Sequence, residues 1–92
     1  MKNFEELIKS SEKVMIKFGA SWCGPCKLMD KRLAPLIEEG LNVYKVDVEE
    51  FFSLGAKLAI RNLPTIIVFQ NGEAIERFSG YATIEQLREK LK

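Results

Sequence analysis

Two cysteines, Cys23 and Cys26, are the only thiols of this 92-residue chain, and just two residues separate them. The surrounding segment reads FGASWCGPCK, with Gly24 and Pro25 between the cysteines and Trp22 in front of them. Such a pair can close a structural disulfide, bind a metal or carry out thiol–disulfide exchange. Each of these three roles makes a different demand on the rest of the sequence.

A structural or metal-binding role explains the spacing poorly. The loop closed by a Cys23–Cys26 disulfide is so short that the loop-entropy model gives it roughly 2 kcal/mol, against about 3 kcal/mol for a 15-residue loop. Structural zinc takes four ligands, usually two such pairs or one pair with histidines. The chain has one pair and no histidine, so a metal site would have to be shared between two chains, and that alternative stays open.

Thiol–disulfide exchange fits the position of the pair between an apolar strand over 14–18 and a helical pattern. Cys23 is expected at the helix N-terminus, where unpaired N–H groups and the helix dipole favour a thiolate. The thiolate is the species that attacks a disulfide. Cys26, one turn further on, is then placed to attack the resulting mixed disulfide. Gly24 permits the close approach of another chain, and Pro25 suits the first turn of a helix.

The elements that must position this pair follow from the hydrophobic pattern, which predicts the order α-β-α-β-α-β-β-α. Asn3 is expected to cap the first helix, and Thr83 with Gln86 the last. Pro35 should kink or break the helix that follows the cysteines near Lys31. The predicted strands cover residues 14–18, 43–48, 65–69 and 74–79, and the Asn71–Gly72 pair signals a hairpin between the last two.

The order of elements predicts an α/β fold. Strands separated by helices are expected to be parallel with right-handed crossovers, and the hairpin adds one antiparallel edge strand. The result is a four-stranded mixed sheet flanked by helices on both faces. We expect a single domain over residues 1–92.

The composition argues against several classes of partner. Fourteen basic and 13 acidic residues give a formal net charge of +1, without the basic patch that nucleic acid or an anionic membrane attracts. No apolar run resembles a secretion signal or a membrane span. We therefore expect no nucleic-acid or membrane partner and a cytoplasmic location, where structural disulfides are rare.

The segment WCGPCK resembles the active-site motif of the thioredoxin family letter for letter. The segment RNLPT resembles the family segment that ends in a cis-proline, here Leu63–Pro64, and FQNGE resembles the hairpin that follows it. The resemblance runs from about Val14 to the end of the chain. It implies a thioredoxin fold and a protein-disulfide reductase in which Cys23 attacks and Cys26 resolves, with no bound cofactor.

The resemblance also implies a substrate groove and a set of partners. The backbone of the residue before the proline pairs with bound substrate in the family. The groove residues implied for this chain are Trp22, Gly24, Pro25, Leu63, Pro64 and Gly80. The implied partners are protein disulfides as substrates and, as electron donor, thioredoxin reductase or a glutathione-type reductant. The protein is expected to be a monomer.

Three departures from the family pattern bear on function. Asn3 caps the first helix almost at once, so the family's first edge strand is expected to be missing. Gly19 stands where the family often has an aromatic residue, so one wall near the active site should be lower or more flexible. Lys17 replaces a buried family Asp that is thought to take the proton of the second cysteine. We expect Lys17 to be partly buried beside an acidic partner, close to Lys45, and to tune the thiols.

Two alternative functions remain at this stage. The short chain and the missing first strand favour a glutaredoxin-like protein that uses glutathione, whereas Trp22 and the Gly-Pro between the cysteines favour a thioredoxin. The second alternative is a binding subunit of the same fold in which the thiols are incidental. Turnover with glutathione would identify the first, and biological activity that survives the loss of both thiols would identify the second.

Overall fold

A computed structural model describes residues 3–92. The helices are α1 (Phe4–Ile8), α2 (Gly24–Glu38), α3 (Phe52–Lys57) and α4 (Ile84–Lys90). The strands are β1 (Val14–Gly19), β2 (Val43–Asp47), β3 (Thr65–Gln70) and β4 (Glu73–Ser79). The predicted order of elements is confirmed, with boundaries that differ by a few residues.

Local sequence signals set the helix ends. The side chain of Asn3 accepts the Glu5 N–H at 3.0 Å, and Thr83 and Gln86 form the predicted reciprocal capping box. Helix α2, in contrast, is not broken by Pro35 and continues to Glu38. A proline inside a helix removes one backbone hydrogen bond, and the buried side chains of α2 hold the helix on the sheet on either side of that point.

The strands form one sheet in the order β2-β1-β3-β4. Strand β1 is parallel to β2 but antiparallel to β3, and β4 is antiparallel to β3. The expectation that β3 runs parallel to β1 was wrong. Helix α3 has six residues and spans about 9 Å, which is too short to carry the chain back along the length of a strand. The chain therefore enters β3 at the end where β1 finishes, with Thr65 opposite Phe18.

Helices cover both faces of the sheet, as predicted. All six residues of β1 are buried, which is what a central strand between two helical layers requires. Helices α2 and α4 cover one face in a cluster that includes Met15, Leu33, Val68 and Leu87. Helices α1 and α3 cover the other face in a cluster that includes Ile16, Phe18, Ile67 and Phe69.

Helix α4 is tied to the end of α2 by an ion pair. The Arg88 guanidinium donates two hydrogen bonds to the carboxylate of Glu39. These bonds hold the pKa of Glu39 below its ordinary value and raise the pKa of Arg88. The pair lies well away from the cysteines in sequence and serves the packing of the two helices.

The number of strands in the described residues is the four predicted from the sequence. Within residues 3–92 the sheet has four strands, and none of them precedes α1. In the same part of the chain, every helix is too short or too polar to cross a bilayer.

Candidate active site

Cys23 and Cys26 are joined by a disulfide, with their Cα atoms 5.3 Å apart. Cys23 is the N-cap residue of α2, and its sulfur accepts the backbone N–H of Cys26 at 3.2 Å. A helix N-terminus stabilises negative charge, so this geometry favours a thiolate at Cys23 once the disulfide is reduced. Cys26 is only 1% exposed, against 6% for Cys23, which makes Cys23 the sulfur that another protein reaches first.

The residues between and before the cysteines face solvent. Trp22 is 68% exposed, and Gly24 and Pro25 are also exposed. Pro25 occupies the first turn of α2, where its missing N–H leaves no donor unpaired. An exposed indole next to a reactive sulfur offers an apolar contact surface to an incoming chain.

A second segment reaches the disulfide from β3. Leu63 packs against a small cluster that contains both cysteines. The Leu63–Pro64 peptide bond is cis, which confirms that prediction. Gly80 has a φ of 91°, and its N–H donates to the carbonyl of Pro64 at 3.4 Å. Because β3 starts at the end where β1 finishes, Leu63 lies beside the cysteines, and Gly80 is joined to the same segment through its bond to Pro64.

The acidic partner of Lys17 is Asp30. Lys17 is 5% exposed, and its Nζ lies 2.7 Å from Oδ1 of Asp30 on helix α2. Lys45, opposite Lys17 in the parallel register of β1 and β2, places its Nζ 3.9 Å from the same oxygen. Oδ1 is buried and accepts no hydrogen bond from the described residues, so the contact with Lys17 is an ion pair outside hydrogen-bond geometry.

The ammonium of Lys17 also lies beside Cys26. A Cβ on Gly19 would be 2.8 Å from the Lys17 Nζ and 3.1 Å from the Cys26 Sγ. The Lys17 Nζ and the Cys26 Sγ are therefore within about 6 Å of each other, the range over which a charge influences the ionisation of a neighbouring group. Gly19 leaves the room that the ammonium occupies.

A polar pocket of about 310 Å³ opens next to Gly19. Its charged lining residues are Lys17, Asp30, Lys45, Asp47 and Glu50. The lower or more flexible wall expected at Gly19 stays a prediction. A pocket of this size and polarity has room for water, so the charged groups behind the disulfide are in reach of solvent.

Comparisons with known proteins agree with this geometry. The thioredoxin family matches residues 1–92. The chain belongs to the thioredoxin family. Among curated proteins, it is 38% identical to a thioredoxin of Staphylococcus haemolyticus, over 97% of this chain and 88% of that protein. It is 35% identical to the chloroplastic thioredoxin Y1 of Arabidopsis thaliana, over 98% of this chain and 55% of that protein.

Solved thioredoxin structures share the fold. A mutant thioredoxin from Halobacterium salinarum superposes with a TM-score of 0.87 at 27% identity, covering 99% of this chain and 81% of that one. The oxidised form of mitochondrial thioredoxin 3 from Saccharomyces cerevisiae superposes with a TM-score of 0.81 at 32% identity, covering 96% of this chain and 84% of that one. The chain spans about half the length of the chloroplastic relatives, 55% and 56% of two of them.

The Cys23–Cys26 disulfide is formed by the two cysteines of the WCGPCK motif in a chain that matches the thioredoxin family. The family match favours a thioredoxin over the glutaredoxin-like alternative. The disulfide also accounts for both thiols of the chain, since the described residues contain no free cysteine.

Asp30 was not among the site residues predicted from the sequence. A signal for it was present, because Asp30 follows Cys26 by four residues in a predicted helix, and such residues share one face. The pairing with Lys17 was not readable in the same way, since it depends on how α2 packs against β1.

Proposed function

We propose that this thioredoxin reduces protein disulfides through reversible oxidation of its Cys23–Cys26 pair. The observation that carries the proposal is the position of the Cys23 sulfur at the N-cap of α2, with Cys26 enclosed one turn behind it. Cys23 attacks a substrate disulfide and forms a mixed disulfide. Cys26 then displaces the substrate and closes the disulfide that the structure contains.

The substrate contacts form part of the same proposal. Trp22 supplies an exposed aromatic surface, and Gly24 and Pro25 leave the approach to Cys23 open. On the other side, Leu63 contacts the cysteine cluster, and the hydrogen bond from Gly80 to Pro64 holds the neighbouring loop. An extended segment of the substrate would lie between these two sides, with the backbone of Leu63 as its pairing partner.

The cellular setting is proposed from the sequence and its relatives. The protein acts as a monomeric single domain in the cytoplasm, on protein substrates and not on nucleic acids or membranes. Its oxidised form is reduced again by thioredoxin reductase or by a glutathione-type reductant. A nearly neutral formal charge of +1 supports the absence of a polyanionic partner.

Insulin reduction tests the proposed activity. With dithiothreitol as electron source, the protein should accelerate the cleavage of the insulin disulfides well beyond dithiothreitol alone. A second series replaces dithiothreitol by NADPH with thioredoxin reductase, or by glutathione with glutathione reductase, and identifies the donor. An insulin reduction rate equal to that of dithiothreitol alone would contradict the proposal and favour a non-catalytic binding subunit.

Lys17 and Lys45 are proposed to tune the couple, with Lys17 dominant because it is buried beside Cys26. Its ammonium favours thiolate and so stabilises the reduced form, which makes the couple more oxidising. Lys17→Met should therefore make the Cys23–Cys26 couple more reducing, by about 10–30 mV. Equilibration with glutathione measures the potential.

Lys45→Met is the matched control, because Lys45 is more exposed and lies farther from Asp30. Its effect on the potential should be much smaller than that of Lys17→Met. Equal potentials in Lys17→Met and the original protein would remove Lys17 from the tuning role.

A further inference from the structure

The resolving step leaves one proton without an obvious destination. Under the proposed function, on which this inference rests, Cys26 must lose its thiol proton before it attacks the mixed disulfide. Cys26 is 1% exposed, so bulk water does not reach it freely. The chain has no histidine, the side chain that most often accepts protons in enzymes.

The polar pocket beside Gly19 offers three carboxylates, and Asp30 is the best placed of them. Asp30 follows Cys26 by four residues in α2, so the two side chains project from the same face of the helix. Asp47 belongs to β2, and its Oδ1 already accepts the Glu49 N–H at 2.8 Å. Glu50 lies in the exposed turn after β2.

Lys17 fixes the position of Asp30. Its Nζ stands 2.7 Å from Asp30 Oδ1 and faces the Cys26 sulfur across the gap left by Gly19. An ammonium has three donors and no acceptor, so Lys17 orients the carboxylate but takes no proton itself. The buried Oδ1 accepts no hydrogen bond from the described residues and keeps its capacity to accept one.

We propose that Asp30 accepts the proton of Cys26 through water in this pocket, and that Lys17 is the residue that positions it. The other charged groups facing this carboxylate are Lys45, with Nζ at 3.9 Å, and Asp47 and Glu50 across the pocket. The side chain of Asp30 is 33% exposed, so the carboxylate is open enough to pass the proton on to solvent.

The step balances without an outside reactant. In the mixed disulfide, the Cys26 thiol gives its proton to the Asp30 carboxylate by way of water. The electron pair left on Cys26 forms the new bond to the Cys23 sulfur, and the bond from Cys23 to the substrate sulfur breaks. The substrate leaves as a thiolate, which takes up a proton from solvent as Asp30 returns its own. The cysteine pair loses the two electrons that the substrate disulfide gains.

The aromatic disulfide dithiobis-nitrobenzoate separates the two chemical steps. Reduced protein releases a first coloured thiolate when Cys23 attacks the reagent, at a rate that depends on reagent concentration. It releases a second coloured thiolate when Cys26 resolves the mixed disulfide, at a rate that is independent of reagent concentration. Asp30→Asn should slow the second phase by about 100-fold at neutral pH, as expected for loss of a general base, and leave the first phase unchanged. The difference in second-phase rate between Asp30→Asn and the original protein should shrink as pH rises, because hydroxide then replaces the carboxylate as proton acceptor.

Three further variants keep the test decisive. Asp47→Asn retains the oxygen that caps its turn and should leave both phases unchanged. Lys17→Met compared with Lys17→Met/Asp30→Asn removes the carboxylate without leaving a buried ammonium unpaired, and the second phase should again slow in the double variant. The comparison of these two variants also decides whether Asp30 accepts the proton if the single variant Asp30→Asn does not fold.

The outcomes separate this inference from the function on which it rests. A second phase that is unchanged or faster without Asp30, in both comparisons, overturns the proton-acceptor role while the reductase function stands. A wild-type protein that shows no second phase overturns the reductase function itself. A slow second phase with the same pH dependence as wild type would mean that Asp30 is merely structural.

Discussion

Replacing Cys26 by serine should convert the protein from a reductase that turns over into a trap for its substrates. Cys23 keeps its place at the N-terminus of α2 and still attacks a substrate disulfide. No second thiol is then available to displace the substrate, so the mixed disulfide persists. Non-reducing gels and intact-mass measurement should show covalent adducts that disappear on treatment with dithiothreitol.

Cys23→Ser is the matched control, since it differs from Cys26→Ser only in which sulfur remains. It should lose insulin reduction entirely and form no adducts, because the remaining thiol is 1% exposed and does not occupy the N-cap. Adducts on the Cys23→Ser protein, together with none on Cys26→Ser, would reverse the roles of the two cysteines.

Features of this fold that depend on neighbouring residues were predictable from the sequence. Asn3 and Thr83 cap helices because a short polar side chain reaches the first free N–H groups within its own turn. The apolar residues on either side of Lys17, Val14–Ile16 and Phe18, predicted a strand covered on both faces, and all of β1 is buried. The position of Cys23 at a helix N-terminus followed from a strand pattern ending and a helix pattern starting on either side of it.

Features that depend on how elements dock were not predictable in this way. The direction of β3 depends on how far α3 carries the chain, and the rule for parallel strands assumes a crossover long enough to return. The Lys17–Asp30 pair joins a strand to a helix, and its 2.7 Å contact depends on how α2 packs against β1. The sequence indicated that Lys17 needs an acidic partner but could not identify it.

Asp30→Ala should cost this protein about 3 kcal/mol of unfolding free energy, at the lower end of the range for a broken buried pair. The loss arises because Lys17, 5% exposed, keeps its charge in a buried site without a counter-ion. The pocket beside it admits some water, which limits the cost. Urea unfolding of the oxidised proteins, compared at equal m-value, measures the difference.

Lys17→Met, measured in the same way, should cost far less, because methionine fills an apolar strand position and the released Asp30 is 33% exposed and reaches solvent. The double variant Lys17→Met/Asp30→Ala should be more stable than Asp30→Ala alone, since removing the ammonium also removes the uncompensated charge. This asymmetry distinguishes a buried ion pair from a simple packing contact, for which the two losses would add. If Asp30→Ala and Lys17→Met lower stability equally and their effects add, the Lys17 charge is solvated without Asp30, and the pair does not hold α2 on β1.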